Sequence, residues 1–384
     1  MKKLRSLALM FIALFALLTC DKEPVDSDFY NAQSDDYSSK IEKSKLQNRV
    51  VESQALIGNF VGNDYDRKMQ VYTPPGYKKN GDKAYPVVYL LHGFPLSEKT
   101  FIDPDVWDDW LPSPIFYMGG PDFPTEGFKL WVDNLIADGL IEPMIIVMPN
   151  GATEPYGFSF YSNSALNGNF EDFIVNDLVN FIDKNYNTIQ NASGRAIIGH
   201  CQGGYAATKF GMLHPDVFGT VASHTGELML DALFHPDFLY LLEQENQGAF
   251  TGPDPNKFFT SVLYAMSGAW SPNLDNPPFY VDLPVEFQAD GHLYPVPEVV
   301  GRWYQNDIFH LLDVYHDDFN SLNGIYIDVG TLDEIGTQLA YPFVIQKLNA
   351  WNIDYYFEAY EGGHQNKLFE RLAKSLEFCS NHMQ

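Results

Sequence analysis

Five apolar runs punctuate the chain, at 85–92, 144–148, 195–199, 220–223 and 325–329, each closing on glycine, histidine or turn residues. Runs of this length that are apolar at nearly every position predict strands buried on both faces of a parallel sheet. Helical periodicity appears between them. At 169–185 Phe170, Phe173, Ile174, Leu178, Phe181 and Ile182 return every three or four residues, and a second helix over 203–213 stops at His214-Pro215. Strands alternating with helices predict an α/β fold with a mostly parallel central sheet, helices on both faces, and ligands at the carboxyl ends of the strands. The rhythm fails over about 228–319, where Pro, Asp, Asn and aromatic residues dominate. That stretch is expected to be a cap inserted over the site within one domain spanning 49–384.

The N-terminus has a different pattern. Lys2, Lys3 and Arg5 precede an almost unbroken apolar run over 7–18, the layout of a signal peptide over 1–19. Leu17-Leu18-Thr19-Cys20 resembles the lipobox of bacterial lipoproteins. This resemblance implies lipidation of Cys20 and an exported, lipid-anchored protein of the bacterial cell envelope, with membrane contact through the anchor only. An ordinary short membrane anchor is the alternative. Residues 20–48, rich in Asp, Ser, Glu and Lys, read as a tether unable to bury enough apolar surface to order itself.

Charge removes whole classes of partner. Twenty-four Lys and Arg against 50 Asp and Glu leave a net charge of −26, which repels nucleic acid and anionic lipid. Of three cysteines, lipidation of Cys20 would leave Cys201 and Cys379 as a potential disulfide. The acidic cluster Asp103, Asp105, Asp108, Asp109 lacks the glycine and final glutamate of a calcium loop, and no phosphate or dinucleotide loop is present, so no cofactor and no metal are implied.

The chemistry centres on Arg195-Ala196-Ile197-Ile198-Gly199-His200-Cys201-Gln202-Gly203-Gly204-Tyr205. An apolar strand, a glycine-flanked turn and a helix follow in immediate succession, the signature of a nucleophile elbow with Cys201 at its apex. Gly199 and Gly203 fit because the strained turn brings backbone too close for any side chain.

Five segments together carry a resemblance from about Tyr72 to the C-terminal helix. They are Leu91-His92-Gly93-Phe94, Gly168-Asn169-Phe170-Glu171-Asp172-Phe173, the elbow, Gly330-Thr331-Leu332-Asp333 and Gly362-Gly363-His364. In this order they resemble the esterase family of α/β-hydrolases, which includes feruloyl esterases, S-formylglutathione hydrolases and mycolyltransferases. The resemblance implies an α/β-hydrolase fold and carboxylic ester hydrolysis, on short acyl or hydroxycinnamoyl esters that include carbohydrate-linked ones. Most members would carry serine where this chain has Cys201. A thiol ionises more readily than a hydroxyl, so a nearby imidazole is expected to hold a thiolate-imidazolium pair before substrate arrives. A natural cysteine hydrolase, a serine enzyme with its nucleophile replaced, a catalytically dead binder of surface glycans or proteins, and an acyltransferase are the readings left open.

Chain order assigns the partners. His364, after a double glycine beyond the strand at 355–360, is the expected base; Asp333, in the loop after 325–330, is the expected acid, preferred over Asp328 inside the strand and over Glu334. His200 is expected to pack behind the elbow. By the family's pattern, the backbone N–H groups of Gln202 and Phe94 form the oxyanion hole. His224, Trp270 and Trp107 are candidate substrate contacts. The other rings of the insertion and of the loop after Gly93, including Tyr264, Phe279, Trp303, Phe101 and Trp110, serve equally as a stacking platform or as the local core of a lid.

Overall fold

The computed structural model describes residues 43–94, 96–107, 117–254 and 256–383. Cys20, the signal segment, most of the tether, Trp110, Asp108 and Asp109 lie outside the described residues.

One eight-stranded sheet organises the chain. Its strands are β1 Lys45–Glu52, β2 Asp66–Thr73, β3 Val87–Leu91, β4 Ile145–Pro149, β5 Arg195–His200, β6 Thr220–His224, β7 Gly324–Gly330 and β8 Tyr356–Tyr360. Their spatial order is β1-β2-β4-β3-β5-β6-β7-β8. Strand β2 runs antiparallel to β1 and β4, and every pairing from β4 to β8 is parallel.

All five residues of β3 are buried, and they divide by parity. Val87, Tyr89 and Leu91 enter one apolar cluster with Ile145, Val147, Ile197, Val221 and Ile327. Val88 and Leu90 enter the other with Ile146, Ala196, Ile198, Ala222 and Tyr326. The two-residue repeat of a strand places neighbours on opposite faces, so a run apolar at every position feeds both layers.

The helices are α1 Phe128–Ala137, α2 at 170–185 with a π-helical stretch Phe173–Leu178, α3 Gln202–Leu213, α4 Pro236–Asn246, α5 Phe258–Trp270, α6 Pro297–Tyr304, α7 Ile308–Asn320, α8 Tyr341–Ala350 and α9 Leu368–His382. Helices α1 and α9 supply Phe128, Val132, Leu372 and Leu376 to one face. Helices α2, α3 and α8 supply Phe170, Ile182, Phe210 and Val344 to the other.

Two expected boundaries move. Residues 45–48, assigned to the tether, belong to β1. This edge strand buries only Val51, so it lacks the apolar run that marks an interior strand. The inserted region holds α4, α5, α6 and a small ribbon, Val285–Phe287 with Leu293–Pro295. However, α7, expected inside the insertion, packs on α3 as an ordinary crossover helix leading to β7. Leu242, Leu263, Val285 and Trp303 of the inserted region join the same cluster as the sheet's α3 face.

Candidate active site

Cys201 connects β5 to α3 with φ 59° and ψ −125°, a conformation costly for any L-residue. Its neighbours impose it. A Cβ on Gly199 would lie 2.0 Å from the Gly203 carbonyl oxygen, and one on Gly203 would lie 2.3 Å from that of Leu91. The Cys201 N–H donates to the His224 carbonyl at 2.9 Å, and its carbonyl accepts from the Tyr205 N–H at 3.0 Å.

Two loops at the same end of the sheet bring in the partners. Asp333 follows β7 and His364 follows β8, and Asp333 Oδ2 lies 2.7 Å from His364 Nδ1. Asp333 is itself fixed by the Ile335 N–H at 2.9 Å and the Thr337 hydroxyl at 2.6 Å. Burial alone would raise its carboxyl, but His364 and these donors hold it below the usual range. Burial likewise works against a charged His364, yet Asp333 and the Cys201 sulfur, which hydrogen-bonds the imidazole, keep it well above its ordinary value.

Glu334 and His200 hold His364 from its backbone. Glu334 Oε2 accepts from the His364 N–H at 2.7 Å, and Oε1 accepts from the Met118 N–H at 2.9 Å. His200 Nε2 lies 2.7 Å from the His364 carbonyl. Burial and the neighbouring His364 charge push His200 down to about 3, so it donates this bond as a neutral ring behind the elbow.

The loop after β3 is pinned by His92, whose Nδ1 meets the Gly93 carbonyl at 2.9 Å while Nε2 accepts from the Gly151 N–H at 2.9 Å. Burial lowers His92 to about 4. Phe94 follows, and its N–H donates to Gln202 Oε1 at 2.7 Å. The same oxygen accepts the Cys201 thiol at 2.8 Å. The side chain of Gln202 therefore stands where the family pattern predicts a substrate carbonyl oxygen, although sequence reasoning had assigned this residue a backbone role alone.

Burial and then the charge of Glu227 push the Cys201 thiol up to about 11, against the opposing influence of His364 and the Gln202 N–H. Glu227, 3.7 Å from Sγ through Oε1, escaped sequence reasoning. Its only signal was position, three residues beyond β6 at the ligand-binding end of the sheet.

The three expected substrate contacts are packed in the interior. Trp107 is 1 % exposed, donates its indole N–H to the Thr100 carbonyl at 2.9 Å and sits in the α1/α9 cluster. Trp270 is buried among Phe160, Tyr205 and Trp303 and donates to Ser162 Oγ at 3.1 Å. His224 points to the α9 face, with Nδ1 2.9 Å from Asp328 Oδ2 and Nε2 2.8 Å from Ser375 Oγ. Both Cys201 and Cys379 are free and buried, so the considered disulfide is absent.

Residues 63–375 match the model of a family described as "Putative esterase". An endo-1,4-beta-xylanase/feruloyl esterase of Xylanibacter ruminicola is 32% identical over 159 residues, 40% of this chain and 19% of that protein. An esterase of Mycobacterium tuberculosis is 29% identical over 164 residues, 42% of this chain and 29% of that protein. The match thus spans less than a third of either curated relative's length. A solved ferulic acid esterase is similar in fold, with a TM-score of 0.56 at 20% identity over 88% of this chain and 99% of that one.

Proposed function

The chain belongs to the esterase family of α/β-hydrolases, and from that premise we propose that it hydrolyses short acyl or hydroxycinnamoyl esters, carbohydrate-linked ones included, through a thioacyl intermediate on Cys201. The observation that supports this most is the convergence of the apex thiol with the His364–Asp333 pair, its carboxylate 2.7 Å from the imidazole.

In this mechanism sulfur attacks the ester carbonyl carbon with its proton held on His364, whose imidazolium Asp333 favours. Asp333 holds the ring orientation and stabilises the imidazolium without taking the proton. The carbonyl oxygen displaces Gln202 Oε1 from the Phe94 N–H, and the Gln202 N–H supplies the second donor for the developing negative charge. The intermediate collapses by breaking the bond to the alkoxy oxygen, which leaves with the proton from His364. Water, activated by the now neutral imidazole, then attacks the thioester and regenerates the thiol.

Mixing the protein with p-nitrophenyl acetate and measuring intact mass tests the reading. One acetyl group on Cys201 is the expected result, and release of p-nitrophenol with no acetyl at this position in either the wild type or a His364→Ala variant overturns it. Localisation is a separate proposal, motivated by the apolar run ending at Cys20: the protein is a lipid-anchored lipoprotein of the cell envelope. Fractionation of cells carrying Cys20→Ala should move it from membranes to the soluble fraction.

A further inference from the structure

A turn beyond β6 is pressed against the elbow. Thr225 adopts φ 47° and donates its N–H to the Asp328 carbonyl at 2.9 Å. A Cβ on Gly226 would lie 2.6 Å from Ser223 Oγ and 2.8 Å from the Gly204 carbonyl carbon, and the Gly226 carbonyl accepts from the Tyr341 hydroxyl at 3.1 Å. With these positions fixed, the Glu227 side chain emerges beside the nucleophile. Oε1 lies 3.7 Å from Cys201 Sγ, and Oε2 is buried with no hydrogen-bond partner among the described residues.

This placement is expensive unless the carboxyl has work there. An orphaned acceptor loses its hydration without compensation, and a negative charge beside the sulfur opposes both a thiolate and an oxyanion. The titratable groups facing Glu227 are Cys201 on the elbow, His364 and Asp333 on their loops, Tyr205 on α3 and Tyr341 on α8.

We propose that Glu227 sets the reactivity of the nucleophile: ionised, its charge 3.7 Å from the sulfur disfavours a thiolate; protonated, it drops the repulsion and donates to the sulfur as sulfur's proton goes to His364. This assignment rests on Cys201 being the nucleophile of the proposed esterase. Glu227 keeps its own proton throughout, so no proton is gained or lost beyond the one transferred from sulfur to imidazole. Burial pushes its carboxyl up to about 7, so the change of state falls at neutral pH.

Alkylation of Cys201 by iodoacetamide reads nucleophilicity without requiring ester turnover. The full-length protein is alkylated from about pH 5.5 to about pH 9, a span bracketing the carboxyl's transition, and the Cys201 peptide is quantified by mass. In the wild type the rise of log rate with pH should flatten across neutrality, as ionising Glu227 raises the thiol's pKa. Glu227→Gln should restore an unbroken slope, match the wild type within about twofold below pH 6, and exceed it by about tenfold above pH 8. Glu227→Leu, lacking the donor, should be slower than both at low pH.

A wild-type profile with no flattening overturns the proposal without reference to any variant, as does flattening that persists in Glu227→Gln. Parallel assays with p-nitrophenyl acetate separate the two claims. A Glu227-dependent alkylation profile with no ester turnover would remove the esterase reading and support this role of Glu227, whereas turnover with a Glu227-independent profile would do the reverse.

Discussion

Two constellations of thiol or hydroxyl, histidine and aspartate occur in the molecule, one at the carboxyl end of the sheet and one beneath α9. Cys201, His364 and Asp333 form one. Ser375, His224 and Asp328 form the other, with histidine contacts of 2.8 Å to the serine and 2.9 Å to the carboxylate. Their histidine–carboxylate distances, 2.7 and 2.9 Å, barely distinguish them. The differences lie in what surrounds them. Cys201 sits on a strained apex beside the Phe94 N–H, while Ser375 is inside α9 and bonds the Leu372 carbonyl at 3.1 Å. Asp328 also receives Arg371 Nε and the Tyr326 hydroxyl, both at 2.9 Å. Burial alone would raise its carboxyl, yet His224 and Arg371 hold it low. The second constellation ties β6, β7 and α9 together, so such contacts become catalytic only with a fixed apex and donors for the oxyanion.

Paired substitutions test this contrast most severely. His364→Ala should lower kcat/KM on p-nitrophenyl acetate by roughly 10³-fold or more, the scale of losing a triad member. His224→Ala should instead cost about 3 kcal/mol in urea unfolding, through a broken buried ion-pair network, with kcat/KM of the folded fraction within a few-fold of wild type. A comparable activity loss in both variants would erase the distinction.

Acid should weaken the elbow's supporting side in its own pH window. His92 and His200 have folded values below the ordinary 6.5, at about 4 and about 3. Each therefore binds fewer protons folded than unfolded between those limits. Their contribution is complete above about pH 6.5 and is lost as pH falls toward 4, by up to about 1.4 kcal/mol per pH unit for each ring. Chemical unfolding at stepped pH checks the slope, and His92→Gln should reduce it.

Smaller effects sharpen the two nucleophile positions. Cys201→Ser should lower kcat/KM on oxyesters by at least about tenfold, because a carboxylate 3.7 Å from the apex resists an alkoxide even more than a thiolate. A serine form more than about tenfold faster would instead identify a serine enzyme with its nucleophile replaced. Ser375→Ala should cost only about 1 kcal/mol, one hydrogen bond, and leave turnover unchanged.

The interior strands were legible because their runs are apolar at nearly every position, and the elbow because its glycines admit no other residue. Strands β1 and β2 were less so: β1 is an edge with one buried residue, and Arg67 and Lys68 interrupt β2. His224 was misplaced for a reason the sequence contained. It shares parity with Ala222, which faces the α1/α9 layer, so a strict two-residue repeat would have turned it away from the cleft. Glu227 and the occupied Phe94 N–H were not legible, since both depend on how separate loops meet.

The upward push that burial and Glu227 give the Cys201 thiol has a further consequence for the lifetime of the protein in air. Peroxide attacks thiolate far faster than thiol, and the first product, a sulfenic acid, proceeds to irreversible forms unless another thiol traps it. Cys379, the only other cysteine among the described residues, is buried in the α1/α9 layer, unbonded to Cys201, and offers no rescue. Whatever disfavours the thiolate slows this chemistry, and any change that acidifies Cys201 to gain speed should shorten the protein's survival in peroxide.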